Sequence, residues 1–357
     1  MRVAVLGTGF GAQHLDWLAR HPELELDTLC FRQDHQRAAE LAARYGIPNL
    51  STDPAGALAE RGISLAVIVT PPDTHQPLVA AALQAGAFAF VDKPLASTPG
   101  SAAELVELAA GTPRRGAVNF QWRAHPAVRE LRDQLADGIG TLLRVQASFF
   151  HDFFLAAGEE ATGARAGDGS AAEAPVGWRQ LPEHAGAGTL GDQGVHLFDL
   201  LHWLLPRDWS VLAAHTGTVR QDLDPPALQP AGTRTEDLAE VWLRDPGSGC
   251  LASLSLSRLT RGVRAIELQI EGSRRCLQLY LAADDASAEL TVHGGNATSK
   301  TARYGPTSLD PYPQVLAALA GRPDPDQLLA SFADGWWAQQ RLAEAVALAS
   351  PAPSRAG

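Results

Sequence analysis

The sequence predicts an α/β domain on a parallel sheet, then an α+β domain on a large, mostly antiparallel open sheet. Three observations carry this. The first third of the chain alternates short apolar runs with segments of helical periodicity, a glycine-rich turn joins the first run to the first helix, and beyond about residue 120 the apolar pattern changes to a period of two. Near-continuous apolar strands separated by helices denote a parallel sheet covered on both faces, and alternation denotes a sheet packed on one face.

Val3–Leu6 is a short run with β-branched residues, and Gln13–Ala19 sets Leu15, Leu18 and Ala19 at helical spacing. Leu26–Phe31 reads as the second strand and Gln36–Tyr45 as the second helix, ended by Gly46. Leu65–Val69, Gln76–Ala85 and Phe88–Val91 continue as strand, helix, strand, and Ala102–Ala110 with Gly116–Phe120 add one more unit. Pro126–Ala136 is a further helix. The alternating runs follow, from "TLLRVQASFF" at 141–150 to "AELTVHG" at 288–294, with a long helix expected over Leu190–Leu205 and another over Gln327–Ala349. The expected domains are 1–120 and 121–350, the C-terminal helix being able to pack back on the first, with a disordered tail after them. Residues 156–175, rich in Ala, Gly, Glu and Ser, form either a surface lid or an insertion without a role.

The chain has 357 residues, 45% hydrophobic and 19% charged, with a net charge of −11. This suits two ordinary cores and lacks the basic stripe of a duplex-binding protein, so no nucleic-acid partner is expected. A phosphate-bearing ligand remains compatible, because backbone amides bind phosphate without net positive charge. Cys30, Cys250 and Cys276 show neither metal-ligand spacing nor a disulfide framework, so no metal is expected and a reducing cytoplasm is. No apolar run is long enough for a membrane span or a signal peptide.

The turn Gly7-Thr8-Gly9-Phe10-Gly11-Ala12 follows the first strand directly and opens the first helix. In a βαβ series this pattern binds a dinucleotide: Gly7 makes the tight turn, Gly9 lets backbone approach the pyrophosphate, and Ala12 allows close helix–strand packing. The helix N-terminus offers amides and a positive dipole end. At the tip of the second strand stand Phe31 and Arg32, with Asp34 slightly beyond. An arginine there suits a 2′-phosphate and favours NADP over NAD; the alternative gives the ribose to Asp34. Thr70-Pro71-Pro72 end the third strand, and Asp92-Lys93-Pro94 the fourth, on the edge where open α/β sheets bind ligands. His75 opens the next helix, either to position ligand or as a surface residue.

Later, Asp192 and His196 stand four apart, one helical turn, with Asp199 three further on and Leu197, Leu200, Leu201 and Leu204 as the buried stripe. A carboxylate beside an imidazole suits proton transfer to or from a hydroxyl, although such a pair alone is also common as structure.

Taken together, "GTGFGA" at 7–12, "TPPDTH" at 70–75, "DKP" at 92–94 and "GAGTLGDQGVHLFD" at 186–199 resemble the glucose–fructose oxidoreductase / inositol dehydrogenase / rhizopine-catabolism family, written Gfo/Idh/MocA. The resemblance implies an N-terminal Rossmann domain and a C-terminal sheet used for dimer or tetramer contacts. It implies that Lys93 anchors substrate and cofactor, that His196 is the acid/base and that Asp192 orients it. The implied reaction moves a hydride between nicotinamide and a sugar, nucleotide-sugar or cyclitol carbon. Asp92 replaces the family's usual glutamate. Gln121, Trp122, Arg123, Trp178 and Arg179 are candidate substrate contacts, and Gln193 either touches substrate or faces water. Two rival functions share the fold: cofactor-assisted glycoside hydrolysis, and a non-catalytic ligand sensor.

Overall fold

The computed structural model describes residues 1–111, 116–152, 179, 181–219, 235–295 and 299–351. The chain divides into two compact units, Met1–Gln121 with Asp310–Gln340, and Trp122–Leu309 with Arg341–Gly357.

In the first unit, β1 (Arg2–Leu6), α1 (Gly11–Leu18), β2 (Glu25–Cys30), α2 (His35–Tyr45), β3 (Asn49–Ser51), α3 (Pro54–Glu60), β4 (Leu65–Ile68), α4 (His75–Gln84), β5 (Phe88–Asp92), α5 (Pro99–Ala110) and β6 (Gly116–Asn119) follow in order. The short pair β3 and α3 was not expected. β3 is three residues with no apolar alternation, too brief to leave a periodic signal. The sheet order is β15-β6-β5-β4-β1-β2-β3, parallel throughout apart from the antiparallel edge strand β15 (Ala330–Ser331). Val3, Val5, Leu65, Val67, Phe88 and Phe90 are buried in one core, as central parallel strands require. The register sets Leu6 beside both Cys30 and Ile68, and Ile68 beside Val91. The turns after β1, β2, β4 and β5 therefore lie along one edge, with the order reversing between β1 and β4.

The second unit holds α6 (Pro126–Ala136), β7 (Leu142–Phe150), α7 (Pro182–Ala185), α8 (Val195–Leu204), β8 (Ser210–Gly217), β9 (Leu238–Arg244), β10 (Leu251–Ser257), β11 (Ala265–Gly272), β12 (Cys276–Ala282), β13 (Ala288–His293), β14 (Ser299–Tyr304) and β16 (Ala349–Pro351). Helices α9 (Tyr312–Leu319) and α10 (Phe332–Leu348) lie in the C-terminal part of the chain. Nine strands form one sheet, in the order β14-β13-β12-β11-β7-β10-β9-β8-β16, with only β7/β10 and β8/β16 parallel. Alternation sorts its faces. Ala239, Val241 and Leu243 of β9 and Leu277, Leu279 and Leu281 of β12 point inward, while Glu240, Trp242, Arg244, Gln278 and Tyr280 point outward. Cross-strand polar pairs run along the outer face: Arg144 with Glu271 at 2.6 Å, Ser255 with Glu240 at 2.7 Å, and Gln278 with Gln269 at 2.8 Å. On the inner face, Leu197, Leu201 and Leu204 of α8 meet Val145, Leu254 and Leu268 of the sheet.

One expected helix differs. Leu190–Gly194 is a π-helical turn that leads into α8, rather than the first turn of one continuous α-helix. Part of the expected tail pairs as β16. Residues 352–357, the 156–175 segment and Trp178 lie outside the described residues. Among the described residues no helix is long and apolar enough to cross a membrane, and none group as a metal-ligand cluster.

Candidate active site

The site residues fall into two sets, one in each unit. In the first unit the glycine-rich turn is shaped by its neighbours. Gly7 adopts φ +115°, and a Cβ there would stand 2.6 Å from the carbonyl oxygen of Val69, so both conformation and close approach demand glycine. Ala12 packs against the core as expected, and Gly11 shares the close helix–strand contact, since a Cβ there would meet Val69 at 3.2 Å and Val5 at 3.4 Å. A Cβ on Gly9 meets nothing within 4 Å, so space remains above the turn. Phe10 is the exposed N-cap of α1, its ring edge-on to His14 and Trp17. Strand, tight glycine turn and helix N-terminus thus form the cradle a dinucleotide pyrophosphate requires.

At the next turn, Phe31 packs edge-on against His35, and Arg32 is exposed. Asp34 is engaged: its carboxylate caps α2 by accepting from the Arg37 amide at 2.9 Å. Arg37 in turn donates its Nε to the carbonyl of Thr8 at 3.1 Å, which ties α2 to the glycine-rich turn.

Pro72 is buried in the turn after β4, and the Thr74 hydroxyl donates to the Pro71 carbonyl at 2.7 Å. His75 is not the surface residue that its place at a helix start allowed. Its ring is wholly buried, with Nδ1 2.8 Å from the Pro94 carbonyl and Nε2 2.8 Å from the Thr70 carbonyl. Burial pulls this imidazole below the ordinary histidine range, against the opposite pull of those carbonyls and of Asp92. Asp92 ends β5 and Lys93 follows it directly, and the Lys93–Pro94 peptide is cis.

Beneath this edge runs a buried polar chain. Asn119 donates to Asp92 at 3.4 Å and lies 3.5 Å from His14 Nε2, and His14 Nδ1 is 2.6 Å from the Tyr312 hydroxyl. Desolvation lowers His14 to about 3 and pushes Tyr312 well above the usual phenol range, so both are neutral near pH 7.

In the second unit, His196 is 4% exposed, with Trp122 and Phe149 packed around its ring at 6.5 and 6.2 Å between centroids. Asp192 lies in the π-helical turn, with Arg179 Nε 3.9 Å from one carboxylate oxygen and His151 Nε2 4.0 Å from the other. Single π-helical turns occur often at functional sites. The turn is anchored at its start. A Cβ on Gly188 would stand 2.1 Å from the Glu236 carbonyl oxygen, and Glu236 receives the Leu190 amide on its carboxylate at 2.9 Å. Trp122 is buried, and among the described residues its indole nitrogen has no hydrogen-bond partner.

Two expected substrate contacts are corrected. Arg123 is 0% exposed and makes a bidentate pair with Asp199, at 3.0 Å through Nε and 2.5 Å through Nη2. Its guanidinium also lies 5.8 Å from the Trp203 ring. It is a core arginine, and Asp199 is its counter-ion. Gln193 is 1% exposed and faces neither substrate nor water. Its Nε2 donates to the carbonyls of Phe149 at 2.8 Å and Ser257 at 3.0 Å, and its oxygen accepts from the Thr189 hydroxyl. That stitches the π-helical turn to the ends of β7 and β10. Gln121 keeps a buried side-chain oxygen without a partner.

Three polar residues outside the sequence-derived set belong with these: His14, Asn119 and His151. A histidine on the apolar face of α1 was the only trace of the first, and the other two stand at strand ends with no pattern to mark them. A compositional signal does mark Lys93. Of 29 basic side chains only Lys93 and Lys300 are lysines. Arginine stays protonated and lysine can lose its proton, so the two residue types are not interchangeable.

Comparison with known proteins bears on the family and the fold. Residues 1–120 match the model of the oxidoreductase family with an NAD-binding Rossmann fold, and residues 128–278 match the GFO/IDH/MocA C-terminal domain. The chain is similar to levoglucosan dehydrogenase of Pseudarthrobacter phenanthrenivorans, 26% identical over 57% of this chain and only 51% of that protein. It is also similar to D-apiose dehydrogenase of Paraburkholderia graminis, 27% identical over 86% of this chain and 73% of that one. A solved structure of levoglucosan dehydrogenase with NADH and levoglucosan superposes with a TM-score of 0.80 at 22% identity, covering 97% of this chain and 96% of that chain, which shows the shared fold. With both domain models matched in order along one chain, the protein belongs to the Gfo/Idh/MocA oxidoreductase family.

Proposed function

We propose that the protein is an NADP-preferring oxidoreductase acting on a CH–OH carbon of a sugar, nucleotide-sugar or cyclitol. The observation that carries this is the shared edge of the parallel sheet, where the glycine-rich turn follows β1 and Asp92-Lys93 lies at the end of β5, the two strands that flank β4. A nicotinamide dinucleotide, when bound, supplies the hydride acceptor or donor. Gly7–Ala12 would hold its pyrophosphate, Phe31 and Arg32 its adenosine end, and Thr70–Pro72 with Asp92 the remainder. Lys93 donates a hydrogen bond to the substrate oxygen and offsets the charge that develops there. His196 takes or returns the hydroxyl proton, with Asp192 holding the imidazole, and Arg179 binds a substrate hydroxyl or acid.

NADP is favoured over NAD because Asp34 is occupied in capping α2, while Arg32 is exposed and Arg37 stands beside the same turn. The sugar names of levoglucosan and D-apiose dehydrogenases support the substrate class. The outer sheet face, with Trp242, Leu251 and Tyr280 exposed, supports a homodimer or homotetramer.

Titration of the purified protein with NADPH and NADH, followed by nicotinamide fluorescence, tests the assignment, and a sugar and cyclitol screen follows with the tighter cofactor. Tight NADPH binding that weakens in Arg32→Ala, with turnover lost in Lys93→Met and His196→Asn, is expected. Preference for NADH in the wild type refutes the Arg32 assignment. Release of free sugar without cofactor turnover would make the protein a hydrolase, and ligand binding that survives in Lys93→Met without any wild-type turnover would make it a sensor.

A further inference from the structure

The turns after β4 and β5 are short of hydrogen-bond donors. Pro71, Pro72 and Pro94 carry no amide hydrogen, so these turns have few amides of their own to give; the Thr74 amide, 3.0 Å from the Pro71 carbonyl, leaves the Thr70 and Pro94 carbonyls to other donors. A buried carbonyl left without a donor is costly, so donors must come from elsewhere. One side chain reaches the carbonyls of both Thr70 and Pro94, the buried imidazole of His75, whose two ring nitrogens stand 2.8 Å from each. A neutral ring donates to one of these carbonyls at a time and an imidazolium to both; in either form the ring is wedged between them, in a space with no measurable solvent access.

We propose that His75 is the positioning residue of Lys93: its ring ties the turn after β4 to the turn after β5 and so fixes the backbone from which the amine projects. The proposal rests on the role given to Lys93 above. Lysine hangs its charge on a flexible four-carbon stem, so its amine is placed no better than the main chain that anchors it. Pro94 is the residue immediately after Lys93, so the bond from His75 holds that anchor one peptide away. His75 itself opens α4, whose Val79, Ala82 and Leu83 are buried, so the clamp is braced by a helix seated in the core. His75 touches no reacting atom and acts only through Lys93.

The test needs no substrate. Lys93 and Lys300 are the chain's lysines, so full-length protein labelled only at lysine gives a spectrum with one side-chain signal from the turn and one from exposed β14 as an internal reference. His75→Phe keeps a ring and removes both ring nitrogens; His75→Gln restores an amide donor. The expected result is that the Lys93 side-chain signal moves toward that of Lys300 in His75→Phe, while the Lys300 signal stays as in the wild type. With a turned-over substrate, kcat falls about 100-fold at little change in KM, as for a misplacement of about 1 Å, and His75→Gln recovers part of it. An unmoved Lys93 signal in His75→Phe overturns the proposal, as does a glutamine variant no better than the phenylalanine one. If His75→Phe does not fold, the Lys300 signal collapses too, and His75→Ala, which offers no donor, is read in its place: a Lys93 signal unmoved there refutes the clamp. Because the lysine signals are read without turnover, failure of the oxidoreductase assignment leaves this outcome readable and separate.

Discussion

Replacing Arg123 with methionine keeps most of the side-chain length and removes the guanidinium. Asp199 would then be left 2% exposed, in a helix whose neighbouring positions are buried and apolar. Removing one partner of a buried pair costs about 3–5 kcal/mol, because the stranded charge has neither water nor its counter-ion. For a unit of this size each kcal/mol moves the midpoint by about 2–4 °C, so the second unit should melt roughly 6–20 °C lower. Removing both partners, in Arg123→Met with Asp199→Leu, strands no charge and should return most of that loss. Calorimetry on the single and double variants measures the melting, and steady-state kinetics below the lowered midpoint measures KM. A core arginine predicts a large melting loss, recovery in the double variant and a KM near wild type. Unchanged melting with KM raised about tenfold or more would refute the pairing argument and return Arg123 to the substrate.

Two further outcomes follow from the geometry. His14 has a folded pKa of about 3 against an ordinary value of 6.5, so between those limits the unfolded chain binds the extra proton and stability falls as pH drops below 6.5. Its share is about 2 kcal/mol between pH 6.5 and pH 5, so urea midpoints should fall less steeply with acid in His14→Gln than in the wild type; parallel slopes would remove His14 as the cause. On the outer sheet face, Trp242 is 53% exposed among cross-strand polar pairs, and Trp242→Glu with Tyr280→Glu should reduce the solution mass to that of one chain by light scattering at unchanged melting temperature; an unchanged multimer would place the interface elsewhere.

The alternation of strand and helix, the glycine turn and the switch to period two are local properties, and they were legible because a backbone repeat of 2 or 3.6 residues writes itself into neighbouring positions. Gly7 was legible for the same reason, standing in a short run whose spacing has its own mechanical meaning. The strand β3 and the π-helical turn were not, since three residues carry no period and one wide turn leaves the apolar stripe of α8 intact.

The roles of the polar residues were decided elsewhere in the chain. Arg123 looked like a substrate contact because its partner, Asp199, is 76 residues away, and Gln193 looked free because its acceptors come from Phe149 and Ser257. His14 meets Tyr312 across 298 residues, and His75 meets Pro94 across 19. A sequence therefore determines by itself which segments become strands and helices and which turns tolerate a phosphate. Whether a charged or polar side chain serves chemistry or only satisfies a buried neighbour is settled by what the tertiary fold sets beside it, because the cost of burying a polar group depends on a partner that no local pattern records.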